Sequence, residues 1–112
     1  MLDSKLVRGC LKGKSSYHQL LYDQFKQYMF VLCMRYMPTR EDAEDILQEG
    51  FAKVFRDLHQ FDEKKGKLKS WMSKIFINTA LQHLRASTKF SVVDIDAAYD
   101  LHLVNDDEVF LN

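Results

Sequence analysis

An all-α bundle is the fold class that this sequence predicts, and three observations predict it. Apolar residues make up 46% of the 112 and charged residues 29%, enough for one buried core under a solvated surface. Only four glycines and one proline punctuate the chain, too few for a turn-rich β architecture. Over long stretches the apolar residues recur at steps of three and four, the period of a helix rather than of a strand.

A short first helix is expected to be capped by Asp3 or Ser4, with Leu6, Cys10 and Leu11 on one face and Gly13 as its C-terminal stop. Ser16 with Gln19 three residues later forms a capping-box pattern. A long second helix should follow from about Tyr17 to Met37, with Tyr17, Leu20, Leu21, Phe25, Tyr28, Met29, Leu32 and Tyr36 at helical spacing. Its second half is apolar nearly all round, so it is expected to be enclosed by several neighbours rather than to lie on a surface. Pro38 ends it, and Thr39 with Asp42 supplies the next capping pattern.

In the third helix Ala43, Ile46, Leu47, Phe51, Val54, Phe55 and Leu58 alternate at steps of three and four, with only Gly50 out of type. Residues 59–67 break the period and form a charged loop around Gly66. A fourth helix, from about Leu68 to Ala86, should bury Leu68, Trp71, Met72, Ile75, Phe76 and Thr79, with Ile77, Leu81 and Leu84 as a second flank. Residues 91–96 have the composition of a short strand but no evident partner strand. The expected product is a compact bundle of three main helices plus a short N-terminal helix, spanning residues 1–86, with 87–112 as an acidic linker or tail.

The formal net charge is zero, yet residues 1–86 carry 15 Lys/Arg against 10 Asp/Glu, whereas 87–112 carry one Lys against six acids. A basic body suits a polyanionic partner, and an acidic tail can shield that surface or fill another cationic groove. Cys10 and Cys33 lie inside apolar helical patterns and read as reduced and structural. The apolar run 29–34 is far shorter than the ~20 residues a membrane span needs, and the N-terminus lacks a signal-peptide core, so the expectation is a cytoplasmic protein without membrane insertion.

His18, His59, His83 and His102 are scattered and form no ligand pattern with the cysteines, so no metal or other cofactor is expected. No phosphate loop, nucleophile elbow or catalytic carboxylate pair occurs, and no catalytic residue is assigned. On the third helix Asp45 and Glu49 are like charges four apart with Gln48 beside them, a patch that suits arginines of another helix. The bland alternative is that the acids complement the helix dipole while Glu49 pairs with Lys53.

On the fourth helix Ser70, Lys74, Asn78, Gln82 and Arg85 trace a polar stripe whose cations fit phosphates and whose amides fit base edges. Ahead of it Lys64, Lys65, Lys67 and Lys69 surround Gly66 in a cationic loop able to grip a single strand. Trp71 is spaced for the core face and reads as core rather than as a base-stacking platform.

Two blocks, Ala43-Glu44-Asp45-Ile46-Leu47-Gln48-Glu49-Gly50-Phe51 and Trp71-Met72-Ser73-Lys74-Ile75-Phe76-Ile77-Asn78 with Arg85, match in order and spacing a known pattern. They resemble region 2 of bacterial RNA polymerase sigma factors of the extracytoplasmic-function (ECF) type. The resemblance covers roughly residues 5–86 and also takes in the helix with Tyr22, Phe25 and Tyr28.

The resemblance implies a non-enzymatic initiation factor in which Asp45, Gln48 and Glu49 dock on the clamp helices of the polymerase β′ subunit. It further implies that the loop from Phe61 to Lys69 takes a flipped non-template base of the minus-ten element, with Lys74, Asn78, Gln82 and Arg85 on nearby DNA. An anti-sigma factor is a further partner it implies, and a monomer is the default. Gln82 departs from the acid that many relatives carry. Nothing after Ala86 resembles the second domain, region 4, so a fragment or a natural single-domain protein is expected, with weak duplex affinity and a preference for the single non-template strand. The rival reading is a non-enzymatic helical protein–protein adaptor without DNA binding.

Overall fold

The computed structural model describes residues 2–86, so the readings of 91–96 and of the acidic tail lie outside the described residues. Four helices fold around one core: α1 (Asp3–Leu11), α2 (Ser15–Tyr36), α3 (Arg40–Asp57) and α4 (Leu68–Ala86). There is no strand among the described residues. Leu6, Leu21, Met29, Leu32, Ile46, Met72, Phe76 and Leu81 are all at most 2% exposed and join the four helices in a single cluster. None of these helices is long and apolar enough to cross a membrane.

The cap of α1 differs from the expectation. The helix begins at Asp3 itself, so Leu2, which has no polar side-chain atom, takes the N-cap position, and the Asp3 carboxylate is directed to α4 instead. Leu11 is 52% exposed, since α1 is nine residues long and only its Leu6–Val7–Cys10 face meets the bundle. Gly13 does stop the helix, at φ +77°, where a side chain would be strained. His18 Nε2 lies 2.9 Å from the Cys10 carbonyl, tying the end of α1 to the first turns of α2.

The capping box expected at Ser16 is not formed. With Gly13 turning the chain and Lys14 extended, α2 starts at Ser15, which puts Ser16 inside the first turn, and Gln19 instead donates to Asp23 at 2.9 Å. As expected, α2 has several neighbours, packing against α1, α3 and α4, but the apolar character of its second half extends onto an open side, where Val31 and Met34 are 40% and 42% exposed. The three other helices cover the face that carries Leu21, Phe25, Met29, Leu32, Cys33 and Tyr36 and leave the opposite side to solvent.

The start of α3 is as the sequence predicts, with Thr39 Oγ1 accepting from the Asp42 N–H at 3.1 Å. Gly50, out of type in the pattern, is buried where α3 meets α4. A Cβ there would lie 2.3 Å from the Phe76 ring, so glycine permits the close approach of the two helices.

The arc buried on α4 is rotated from the one expected. Met72, Phe76, Ile77, Ala80, Leu81 and Leu84 are buried, while Trp71 and Ile75 are half-buried at its edge. Because α4 packs against both α2 and α3, its covered arc takes in the second flank as well as the first. The buried hydroxyls of Ser73 and Thr79 donate to the carbonyls of Lys69 and Ile75, each at 2.7 Å, and no buried side-chain polar atom among the described residues lacks a partner.

Burial pushes the Cys33 thiol up to about 12 from its ordinary 9.0 and raises Cys10 in the same direction. Cys33 is therefore expected to resist alkylation at pH 8 in the native protein and to react on unfolding, as mass spectrometry of a pulse-labelled denaturant series would read. The unfolded thiol ionises first, so this group leaves stability unchanged below pH 9 and erodes it as pH rises toward 12.

Candidate functional site

The segment between α3 and α4 is built from two short 3-10 turns, Leu58–Gln60 and Glu63–Lys65. Asp62 Oδ1 accepts from the Lys64 N–H at 3.0 Å, which fixes the second turn. Gly66 follows at φ +153°, a conformation that favours glycine, and the Lys67 carbonyl accepts the Trp71 N–H at 3.1 Å as α4 begins.

This turn, with the first two turns of α4, encloses a cleft of about 280 Å³. Phe61 and Trp71 form its aromatic wall, their rings edge to face with centroids 5.7 Å apart. Lys65, Lys67 and Lys74 line it together with Gln60 and Ser70, and Asp62 is its one acid. The volume falls just below the roughly 300–1,000 Å³ usual for ligand sites, which fits one planar ring system better than a larger molecule.

Of the residues singled out in the sequence, the cleft gathers Lys65, Lys67, Ser70 and Lys74, together with Trp71. Lys64 lies instead on an adjacent open groove of about 750 Å³ with Leu2, Asp3 and Ser4. Lys69 is not a loop residue. It belongs to the first turn of α4, with its Nζ 4.0 Å from the centroid of the Tyr28 ring, a cation–π contact that braces α4 on α2.

Beyond the cleft, Trp71, Lys74, Asn78, Gln82 and Arg85 follow at steps of three, four, four and three along one face of α4. The four polar members are exposed. Gln82 Oε1 accepts from Lys53 Nζ at 3.2 Å, and the same ammonium donates to Thr79 Oγ1 at 3.1 Å. The Gln82 side chain is thus oriented by α3.

On α3, Asp45, Gln48 and Glu49 are all exposed. The Glu49–Lys53 pair of the bland alternative is not formed: Lys53 reaches across to α4, and Glu49 Oε2 lies 2.7 Å from His83 Nε2. At about half exposure on both sides this bond is worth under about 1 kcal/mol. Sequence reasoning missed His83 and Lys53 as links between the two polar faces, and it missed Phe61 as the ring that meets Trp71. No three His, Cys, Asp or Glu side chains converge on a metal-sized point among the described residues.

A model of the family described as sigma-70 region 2 matches residues 21–90. The chain is 26% identical over 98 residues to the ECF RNA polymerase sigma factor SigW of Bacillus subtilis, covering 88% of this chain and 52% of that protein. It is 31% identical over 84 residues to the RNA polymerase sigma-H factor of Pseudomonas aeruginosa, covering 75% and 43%. The ECF RNA polymerase sigma-E factor of Escherichia coli is 31% identical over 86 residues, covering 77% and 44%. The chain therefore spans about half the length of the curated relatives it matches. No solved structure gives a significant match.

Proposed function

The chain belongs to the sigma-70 region 2 family, of ECF type, and from that premise we propose that it binds RNA polymerase core and opens promoter DNA at the minus-ten element. The carrying observation is the lysine-lined cleft walled by Phe61 and Trp71. An aromatic wall offers a π-face to any base, and the lysines offer charge to the flanking phosphates. Flipping a base costs a few kcal/mol, which such stacking and phosphate contacts can offset.

In this reading Lys65, Lys67 and Lys74 hold the displaced non-template strand, with Lys64 on the adjoining groove. Asn78, Gln82 and Arg85 continue its path along α4. Lys69 acts indirectly, by bracing α4 against Tyr28. Residues 1–86 form the working unit and 87–112 the acidic linker. The chain works as a monomer in the cytoplasm and adds no catalysis of its own. An anti-sigma factor would cover the uncharged face of α2, where Leu20, Val31 and Met34 are exposed.

Asp45, Gln48 and Glu49 face the β′ clamp helices in this proposal. Docking there must first take Glu49 from His83, at a cost under about 1 kcal/mol for a half-exposed pair. Charge-assisted hydrogen bonds to clamp arginines contribute on the order of 1.5 kcal/mol each and outweigh it.

Titration of the chain with a β′ clamp-helix fragment tests this. The variant Asp45→Ala/Gln48→Ala/Glu49→Ala, its helicity checked by circular dichroism, is expected to bind at least about tenfold more weakly than wild type. Equal binding by both would move the interface elsewhere, and no binding by either would remove polymerase docking from the proposal.

A further inference from the structure

We propose that Asp3 is a positioning residue for the cleft, holding the start of α4 in the geometry that receives a single strand; this rests on the strand-binding reading above. Asp3 Oδ2 accepts the Leu68 N–H at 3.0 Å across 65 residues of sequence. Leu68 opens α4, and its N–H is one of the four donors that a helix start leaves without an internal partner. The residues just before it, Lys65, Gly66 and Lys67, carry no side-chain oxygen with which to cap it. The acceptor comes instead from the far end of the chain.

The arrangement is anchored on both sides. Leu6 and Val7 fix α1 in the core, at 0% and 7% exposure, and Leu68 is fully buried beneath the bond. Asp3 also lies in the first turn of α1, so one carboxylate stands at the N-termini of two helices. Lys65, Gly66 and Lys67 are shared walls between the cleft and the open groove that contains Asp3. Freeing the Leu68 N–H would loosen Lys67, whose carbonyl accepts from Trp71, and with it both the cationic and the aromatic walls.

The sign of the effect separates positioning from simple electrostatics. A carboxylate next to Lys64, Lys65 and Lys67 repels a polyanion, so on charge alone its removal should tighten strand binding. Positioning requires the opposite.

The experiment uses the full chain with Asp3→Ala and Asp3→Asn, reading affinity for a minus-ten non-template oligonucleotide, affinity for the β′ clamp fragment, and hydrogen exchange at the Leu68 amide. Asp3→Ala is expected to weaken strand binding by about 3- to 10-fold, the range that loss of one helix cap supports. Exchange at Leu68 should accelerate while clamp binding is unchanged. Asp3→Asn keeps an acceptor oxygen and should recover most of the loss.

Tighter or unchanged strand binding in Asp3→Ala would overturn the proposal, as would parallel loss of strand and clamp binding, which would mark general destabilisation. Should wild type bind no strand, the functional reading fails on its own. Leu68 exchange then decides the positioning claim, and unchanged protection in Asp3→Ala would sink it.

Discussion

Replacing Gly50 by alanine is expected to destabilise the domain by about 2 kcal/mol, although alanine is the better helix former by about 1 kcal/mol. The new Cβ would lie 2.3 Å from two carbons of the Phe76 ring and 2.9 Å from a third, closer than real Cβ contacts come. Phe76 has nowhere to retreat. It is 1% exposed and meets Phe51 edge to face, with ring centroids 5.1 Å apart, so moving it pushes strain into the middle of the core. Overpacking of this kind costs about 1–3 kcal/mol and at times more, and a rigid ring places this site at the upper end.

For a domain of this size the loss corresponds to a fall in Tm on the order of 10 °C, readable by calorimetry. Phe76→Leu in the Gly50→Ala background should recover part of it, because the smaller side chain opens the space the methyl needs. A double-mutant cycle with coupling near zero would show that the strain arises elsewhere. An unchanged Tm would mean that α3 and α4 do not approach so closely, and the links Glu49–His83 and Lys53–Gln82 would lose their basis.

What the sequence revealed and what it hid divide along the range of the interactions. The Thr39–Asp42 cap, the stop at Gly13 and the extents of α3 and α4 depend on residues within a few positions of one another, and the periodicity carries them. The Asp3–Leu68 bond, the Lys69–Tyr28 contact and the α3–α4 links depend on how helices register against each other, which no single period encodes.

Glu49 shows why the local reading failed. An exposed i,i+4 pair with Lys53 is worth a few tenths of a kcal/mol, so a neighbouring helix that offers His83 to one residue and two oxygen acceptors to the other readily displaces it. Trp71 makes the same point for the core. Its spacing fits an apolar face, but α4 packs against two helices and buries a different arc, which leaves the indole at the edge as a cleft wall.

Trp71→Ala is expected to lower affinity for the single non-template strand by about 10- to 100-fold, in line with the ~1–3 kcal/mol that a base stacked on an aromatic side chain contributes. The indole is half-buried and meets Phe61 edge to face at 5.7 Å, so its truncation removes the larger ring of the aromatic wall while the helix beneath stays anchored by Met72 and Phe76. Trp71→Phe keeps a π-face and should retain most of the affinity. Duplex binding, weak to begin with, should change little, since a base held in the double helix cannot reach the cleft.

The lysines supply the contrasting case. Lys65→Ala or Lys67→Ala should weaken binding across all strand sequences and lower the salt slope by about one unit each, whereas Trp71→Ala should leave that slope unchanged. Fluorescence titrations at several salt concentrations separate the two effects. If Trp71→Ala bound as wild type while the lysine variants lost affinity, the cleft would be a cationic surface without a base platform. Equal, sequence-blind affinity for single and double strands would then follow, and the promoter-opening role would have to rest on residues outside the cleft.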